Sequence, residues 1–64
     1  MISKNVAKYR KEAGMSIIDL AEAVNVTKQM ISLIEQGRKV PGLLLAKDIA
    51  EALGCTIDDL IREE

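Results

Sequence analysis

Residues 17–36, IIDLAEAVNVTKQMISLIEQ, carry two helical periods broken once, at Asn25-Val26-Thr27. Leu20, Ala21 and Val24 share one helical face before the break, and Ile31, Ile34 and Glu35 restore the 3.6-residue spacing after it. The segment is therefore predicted to form two short helices around a tight turn, with both apolar faces in one core. Ala21 is small where the two helices should cross most closely. Asn25 stands where such a turn needs a left-handed backbone, which Asn tolerates better than any residue except Gly.

The second of these helices has an outer face as well as an inner one. With residues about 100° apart around the axis, Gln29, Ser32, Leu33 and Gln36 point away from the Ile31 and Ile34 row, and Lys28 sits at the exposed N-terminal end. A polar outer face over an apolar anchor row fits a DNA groove. Gln29 can pair with adenine through N6 and N7, Lys28 can donate to guanine O6 and N7, Ser32 is permissive, and Leu33 can pack on a thymine methyl. Lys28, Gln29, Ser32 and Leu33 are thus the expected base contacts. The plain alternative is a solvated helix face. Lys28 can equally meet a phosphate, adding affinity without discrimination, and Leu33 can instead cover a protein partner.

Flanking sequence supplies three more helices. The first is predicted from about Ser3 to Ala13, with Val6, Tyr9 or Arg10, and Ala13 toward the core, and it stops at Gly14. Ser16 followed by Asp19 gives the second helix a capping-box-like start; Thr27 caps the third in the same way and Gly37 ends it. Pro41 blocks extension of whatever precedes it. A fourth helix is predicted from about Leu43 to Leu53, closed by Gly54, with Ala46, Ile49, Ala50 and Leu53 inward, Leu43 beside them and Leu44 nearly opposite. Thr56 with Asp59 is another capping box, opening a short fifth helix through Ile57, Leu60 and Ile61. Nothing alternates over enough residues to demand a strand. The expectation is one all-α domain of five helices over residues 1–64, without linker or repeat.

At 64 residues such a domain buries only roughly 60% of its unfolded surface, so its stability should be modest unless it oligomerises. The chain has no His, Trp or Phe, one Tyr and one Cys. Within one chain this excludes a disulfide framework, a Cys/His zinc site and a Cys–His or Ser–His catalytic pair, so neither enzymatic chemistry nor a cofactor is expected. No apolar run approaches the roughly 20 residues that span a bilayer, and MISKNVAKYR lacks the apolar centre of a signal peptide. A cytoplasmic protein with no membrane partner is expected. The lone Cys55 fits a reducing compartment and reads as a core filler rather than a reactive thiol.

The net charge of -1 conceals a split. Residues 1–39 hold seven Lys or Arg against four acids, whereas residues 40–64 hold two against six. Such a dipole would orient the basic half toward a polyanion; ordinary surface charge is the plain alternative.

Val6-Ala7-Lys8-Tyr9-Arg10, Gly14-Met15-Ser16, Asp19-Leu20-Ala21, Val24, Thr27, Ile31, Ile34-Glu35, Gly37-Arg38, Pro41 and Ile49-Ala50-Glu51-Ala52-Leu53-Gly54 follow one another without gaps over nearly the whole chain. In these residues and spacings the sequence resembles the Cro/lambda-repressor-like family of helix-turn-helix DNA-binding domains. The resemblance implies a compact lambda-repressor-like fold with the helix-turn-helix at helices two and three, and double-stranded DNA as partner. It also pairs Arg10 with Glu35 in a largely buried ion pair between helices one and three, which assigns Arg10 to structure rather than to phosphate. Where the family commonly has a Gln holding a phosphate at the start of helix two, this chain has Ile17, followed by Ile18. Backbone N–H groups after Ser16 can still face a phosphate, because helix N-termini favour anions. The expected phosphate contacts are Ser16, Thr27, Gln36, Arg38 and Lys39, joined by Lys4, Lys8 or Lys11 if the first helix lies alongside.

The expected function is a sequence-specific transcriptional regulator, a repressor that binds a palindromic operator as a homodimer, with recognition helices about 34 Å apart. Leu44 beside Leu60 and Ile61 suggests an association surface, so Leu44, Ile57, Leu60 and Ile61 form the expected dimer interface. No effector domain fits this length, so control is expected from concentration, operator competition or a partner. Two alternatives stay open: an antitoxin or phage-type regulator whose apolar helix-four surface neutralises a second protein, and a helix-turn-helix fold used only for protein contact. Ile17, Leu33 and the overall acidity favour the latter more than usual.

Overall fold

The computed structural model describes residues 2–62 as five helices: α1 (Ile2–Glu12), α2 (Ile17–Ala23), α3 (Lys28–Glu35), α4 (Leu43–Leu53) and α5 (Ile57–Ile61). There is no strand among the described residues. Glu63 and Glu64, counted above in the acidic half, lie outside them. No helix of the described residues is long and apolar enough to cross a membrane.

Side-chain caps open α2, α3 and α5, whereas α4 starts after Gly42 without one. Ser16 Oγ accepts the Asp19 N–H at 2.9 Å while the Asp19 carboxylate accepts the Ser16 N–H at 3.0 Å, so two donors that a helix start leaves unpaired are satisfied together. Thr56 and Asp59 repeat the arrangement at 3.0 Å in both directions. Thr27 Oγ1 accepts the Met30 N–H at 3.1 Å, but Met30 has no carboxylate to answer with, so α3 has a single cap.

Helix ends share one device. Gly14, Asn25, Gly37 and Gly54 all have left-handed φ, between 60° and 77°, and follow α1 to α4 in turn. The next N–H then returns to a carbonyl five residues back: Met15 to Arg10, Val26 to Ala21, Arg38 to Leu33 and Cys55 to Ala50, at 2.9–3.1 Å. Only the turn between α2 and α3 does this without glycine.

Each helix places at least one aliphatic side chain wholly out of water: Val6 from α1, Leu20 from α2, Ile31 and Ile34 from α3, Ile49 from α4 and Leu60 from α5. Tyr9, Met15, Ile17, Val26, Leu45, Cys55 and Ile57 pack around this centre. α2 and α3 are the most closely packed pair, and α1 touches α3, α4 and α5. Asn5 fastens α1 to α5 by donating from Nδ2 to the carbonyls of Leu60 and Arg62, both at 2.7 Å, and of Asp59 at 3.2 Å. A five-residue helix does not persist alone. Leu60 anchors one side of α5 and Asn5 satisfies its terminal carbonyls.

Three expectations from the sequence are corrected. Ala13 is exposed, because α1 ends at Glu12 and Ala13 belongs to the turn. Leu43 is 74% exposed, because it is the first residue of α4 and projects beyond the elements packed on that helix. Leu60, expected on an intersubunit surface, is fully buried within one chain, and Ile57 is half-buried on the rim of the core. Of the four residues expected at the dimer interface, only Leu44 and Ile61 are exposed.

Candidate nucleic-acid interface

α3 is fastened by Ile31 and Ile34 and leaves Lys28, Gln29 and Gln36 in water. Ser32 and Leu33 are half-buried, so the outer face is narrower than helical counting predicts. Gln36 Nε2 donates to Ser32 Oγ at 2.9 Å across one turn. The expected phosphate contact Gln36 and the expected base contact Ser32 therefore form one unit. That bond leaves the Gln36 carbonyl oxygen, its second amide hydrogen and the Ser32 hydroxyl hydrogen free to meet another polar edge.

The two helix starts in the motif differ in charge. α3 opens with Lys28 and has no acid in its first turn, so the positive end of its dipole is uncompensated. α2 opens with Asp19, whose carboxyl is held below the usual carboxylate range by the Ser16 N–H first and the Ser16 hydroxyl second. An ionised carboxylate beside Ser16 opposes an approaching phosphate. The field thus favours the α3 end, around Thr27 and Lys28, over the Ser16 end.

Arg38 and Lys39 are exposed immediately after the Gly37 turn, beyond the C-terminal end of α3. Lys4, Lys8 and Lys11 are exposed on α1, with Lys8 Nζ 5.8 Å from the centre of the Tyr9 ring.

Arg10 is inside. Its Nε donates to Glu35 Oε2 at 2.7 Å, Nη2 to Glu35 Oε1 at 3.1 Å and Nη1 to the Met15 carbonyl at 2.9 Å. The hydrogen bond to Glu35 raises the guanidinium pKa against the opposing effect of burial. One side chain thereby joins α1, the loop before α2, and α3. It also neutralises the Glu35 carboxylate at the end of α3, which would otherwise repel a polyanion.

Cys55 is a half-buried free thiol packed on the core; burial first, and Asp59 second, push its pKa up. No group of three or more His, Cys, Asp or Glu among the described residues is arranged to hold a metal ion.

Sequence reasoning missed the Ser32–Gln36 bond, although Ser and Gln four residues apart on a helix are within reach of each other. It also missed the Met15 carbonyl under Arg10 and the Asn5 clamp on α5. The first involves a backbone carbonyl, which carries no residue-specific mark, and the second joins residues that only the fold brings together.

Comparison with known proteins agrees with this geometry. A family model described as helix-turn-helix matches residues 6–60. A helix-turn-helix-type transcriptional regulator of Methanothermobacter thermautotrophicus is 49% identical over 49 residues, covering 77% of this chain and 71% of that protein. The transcriptional regulator SinR of Bacillus subtilis is 31% identical over 65 residues, covering all of this chain and 59% of SinR. A crystal structure of SinR, described as the master regulator for biofilm formation, in complex with DNA superposes with a TM-score of 0.91 at 30% identity, covering 97% of this chain and 100% of that one.

Proposed function

This chain belongs to the Cro/lambda-repressor-like helix-turn-helix family, and from that membership we propose that it regulates transcription by binding double-stranded DNA in a sequence-specific manner, as a cytoplasmic repressor. α3 is the recognition helix. Two copies occupy a palindromic operator, each setting α3 into one of two successive major grooves about 34 Å apart. The observation that carries this reading is the division of α3 into a fully buried row, Ile31 and Ile34, and a free polar row, Lys28, Gln29 and Gln36.

In this reading Gln29 and the Ser32–Gln36 unit meet base edges, Leu33 borders a thymine methyl, and Lys28 meets a base or the adjoining phosphate. Thr27, Arg38 and Lys39 flank them as phosphate contacts, with Ser16 contributing less because of Asp19. SinR, which has a structure in complex with DNA, supports the choice of partner. No reaction is assigned to the chain.

Selecting bound duplexes from a random pool tests the proposal. A shared motif with two inverted half-sites one helical turn apart is the expected result, and a bound pool without any shared motif would overturn it. A second reading, contact with another protein in the manner of an antitoxin, is favoured by the exposed Val40, Leu43 and Leu44; it predicts a second chain in stoichiometric amount after purification and no binding to duplex at low salt.

A further inference from the structure

Seven Lys and Arg side chains fall in residues 1–39, and the interface around α3 accounts for only three of them, Lys28, Arg38 and Lys39. Arg10 is paired inside the molecule with Glu35. The other three, Lys4, Lys8 and Lys11, are exposed on α1. At about 100° per residue they fall within roughly 60° of one another around the helix, a single stripe rising about 10 Å from Lys4 to Lys11. None of the three takes part in an ion pair among the described residues, where the pairs are Arg10 with Glu35 and Arg62 with Asp59. Glu12, exposed at the edge of the stripe, is the one acid of α1, and the Tyr9 ring near Lys8 carries no charge to offset it.

Two contacts fix which way the stripe points. Arg10 turns to Glu35 at the end of α3, and Asn5 turns to the last carbonyls of α5. Val6, wholly buried, lies between these two directions. Counted around α1, the middle of the stripe is about 130° from Arg10 and about 170° from Val6. α1 therefore lies against α3 while turning its lysines to a different side of the molecule.

The stripe has no apolar centre. Ala7 is the only apolar residue on that side between Lys4 and Lys11, since Val6 is buried and Tyr9 packs against the core. The centre of a protein interface is poor in Lys and rich in aromatic and other apolar groups, and a helix lying on a membrane needs an apolar face to insert. A row of lysines alone suits the phosphate backbone of a nucleic acid, which carries one charge per roughly 1.7 Å of duplex and is held by cations without reference to base edges.

We propose that Lys4, Lys8 and Lys11 form a second, sequence-independent contact, with the phosphate backbone of a duplex segment other than the one read by α3, so that the chain holds two segments of double-stranded DNA together. The proposal rests on the DNA-binding reading above and adds bridging to it. Neutralising three phosphates gives a weak contact, whose affinity falls about 40-fold between about 50 and 200 mM salt. Two copies on the paired half-sites of one operator present two stripes, so bridging is strongest where the operator is occupied.

The test uses the full chain, a selected two-half-site duplex fixed to a surface and saturated with protein, and a labelled random-sequence duplex added after excess chain is removed. At about 50 mM salt the unaltered chain should retain the labelled duplex. Lys4→Gln combined with Lys8→Gln and Lys11→Gln should hold the fixed duplex within about twofold of the unaltered chain and retain about tenfold less of the labelled one. All three positions are exposed and Gln is as good a helix former as Lys, so helicity should not change. Lys4→Arg combined with Lys8→Arg and Lys11→Arg, which keeps the charge, should retain the labelled duplex fully.

No retention of the labelled duplex by the unaltered chain, or equal retention by the Gln variant, overturns the proposal and leaves the DNA-binding reading standing. A loss of the Gln variant's hold on the fixed duplex as large as its loss of the labelled one also overturns it, by assigning the lysines to the backbone that α3 reads. A chain that holds neither duplex removes the reading and the proposal together.

Discussion

Arg10 spends all three of its nitrogens on partners inside the molecule, two contacts to Glu35 and one to the Met15 carbonyl. Arg10→Met would leave the Glu35 carboxylate enclosed without a counter-charge and the Met15 carbonyl without its donor. Stability should fall by about 3–5 kcal/mol, whereas Arg10→Met combined with Glu35→Met should cost less, because no charge is then stranded. Urea unfolding of the three chains measures this, and a loss below about 1 kcal/mol in the single variant contradicts the role given to the pair. The pair itself was legible through the family resemblance. The third bond was not, since a backbone carbonyl carries no residue-specific mark. Leu33 was harder still: its position on the helix is legible, but its half-burial depends on what lies beside it.

At the scale of elements, the turn between α2 and α3 is the test of local chemistry. Asn25 has φ 60°, a conformation that costs other side chains about 1–2 kcal/mol, so Asn25→Ala should destabilise by about 1 kcal/mol and Asn25→Gly should leave stability unchanged or raised. Thermal unfolding of the two variants distinguishes a conformational requirement from a contact of the Asn side chain, for which both would be destabilised.

The two capping boxes predict a response to acid. Asp19 and Asp59 are each held below the ordinary carboxylate range in the folded chain, chiefly by the N–H groups of Ser16 and Thr56. Their contribution is complete above the unfolded carboxylate value and disappears as pH falls through the lower folded values. Stability should be flat near neutrality and decline below about pH 4. Asp19→Asn with Asp59→Asn should make that decline shallower in urea midpoints measured against pH. An unchanged decline would show that other carboxylates govern it.

Caps, helix ends and the buried stripes of α2 and α3 were legible because each is set within a few residues of sequence. Ala13, Leu43 and Leu60 were misplaced for the opposite reason. Helical counting gives the face on which a residue lies, but whether that face is covered depends on where α1, α4 and α5 meet.

Across the whole molecule, charge and size bear on how the proposed interface would be used. Lys28, Arg38 and Lys39 flank α3, while Asp48 and Glu51 lie on α4 and Asp58 and Asp59 open α5. Basic side chains thus gather at both ends of α3, although Asp48 and Glu51 share a depression with Asn25 of the α2–α3 turn. The domain measures 27 × 23 × 19 Å, shorter than the roughly 34 Å between successive major grooves on one face of DNA, so reading two half-sites requires two copies.

Gln29 stands fully outside the core near the start of α3, so its truncation should alter recognition without altering the fold. The affinities of the unaltered chain and of Gln29→Ala, measured at one salt concentration on a duplex recovered by selection and on a random duplex, decide whether α3 reads sequence. The expected result is a loss of about 1–3 kcal/mol on the selected duplex with no change on the random one. An equal loss on both duplexes, or none on either, would contradict a base-reading role for this face.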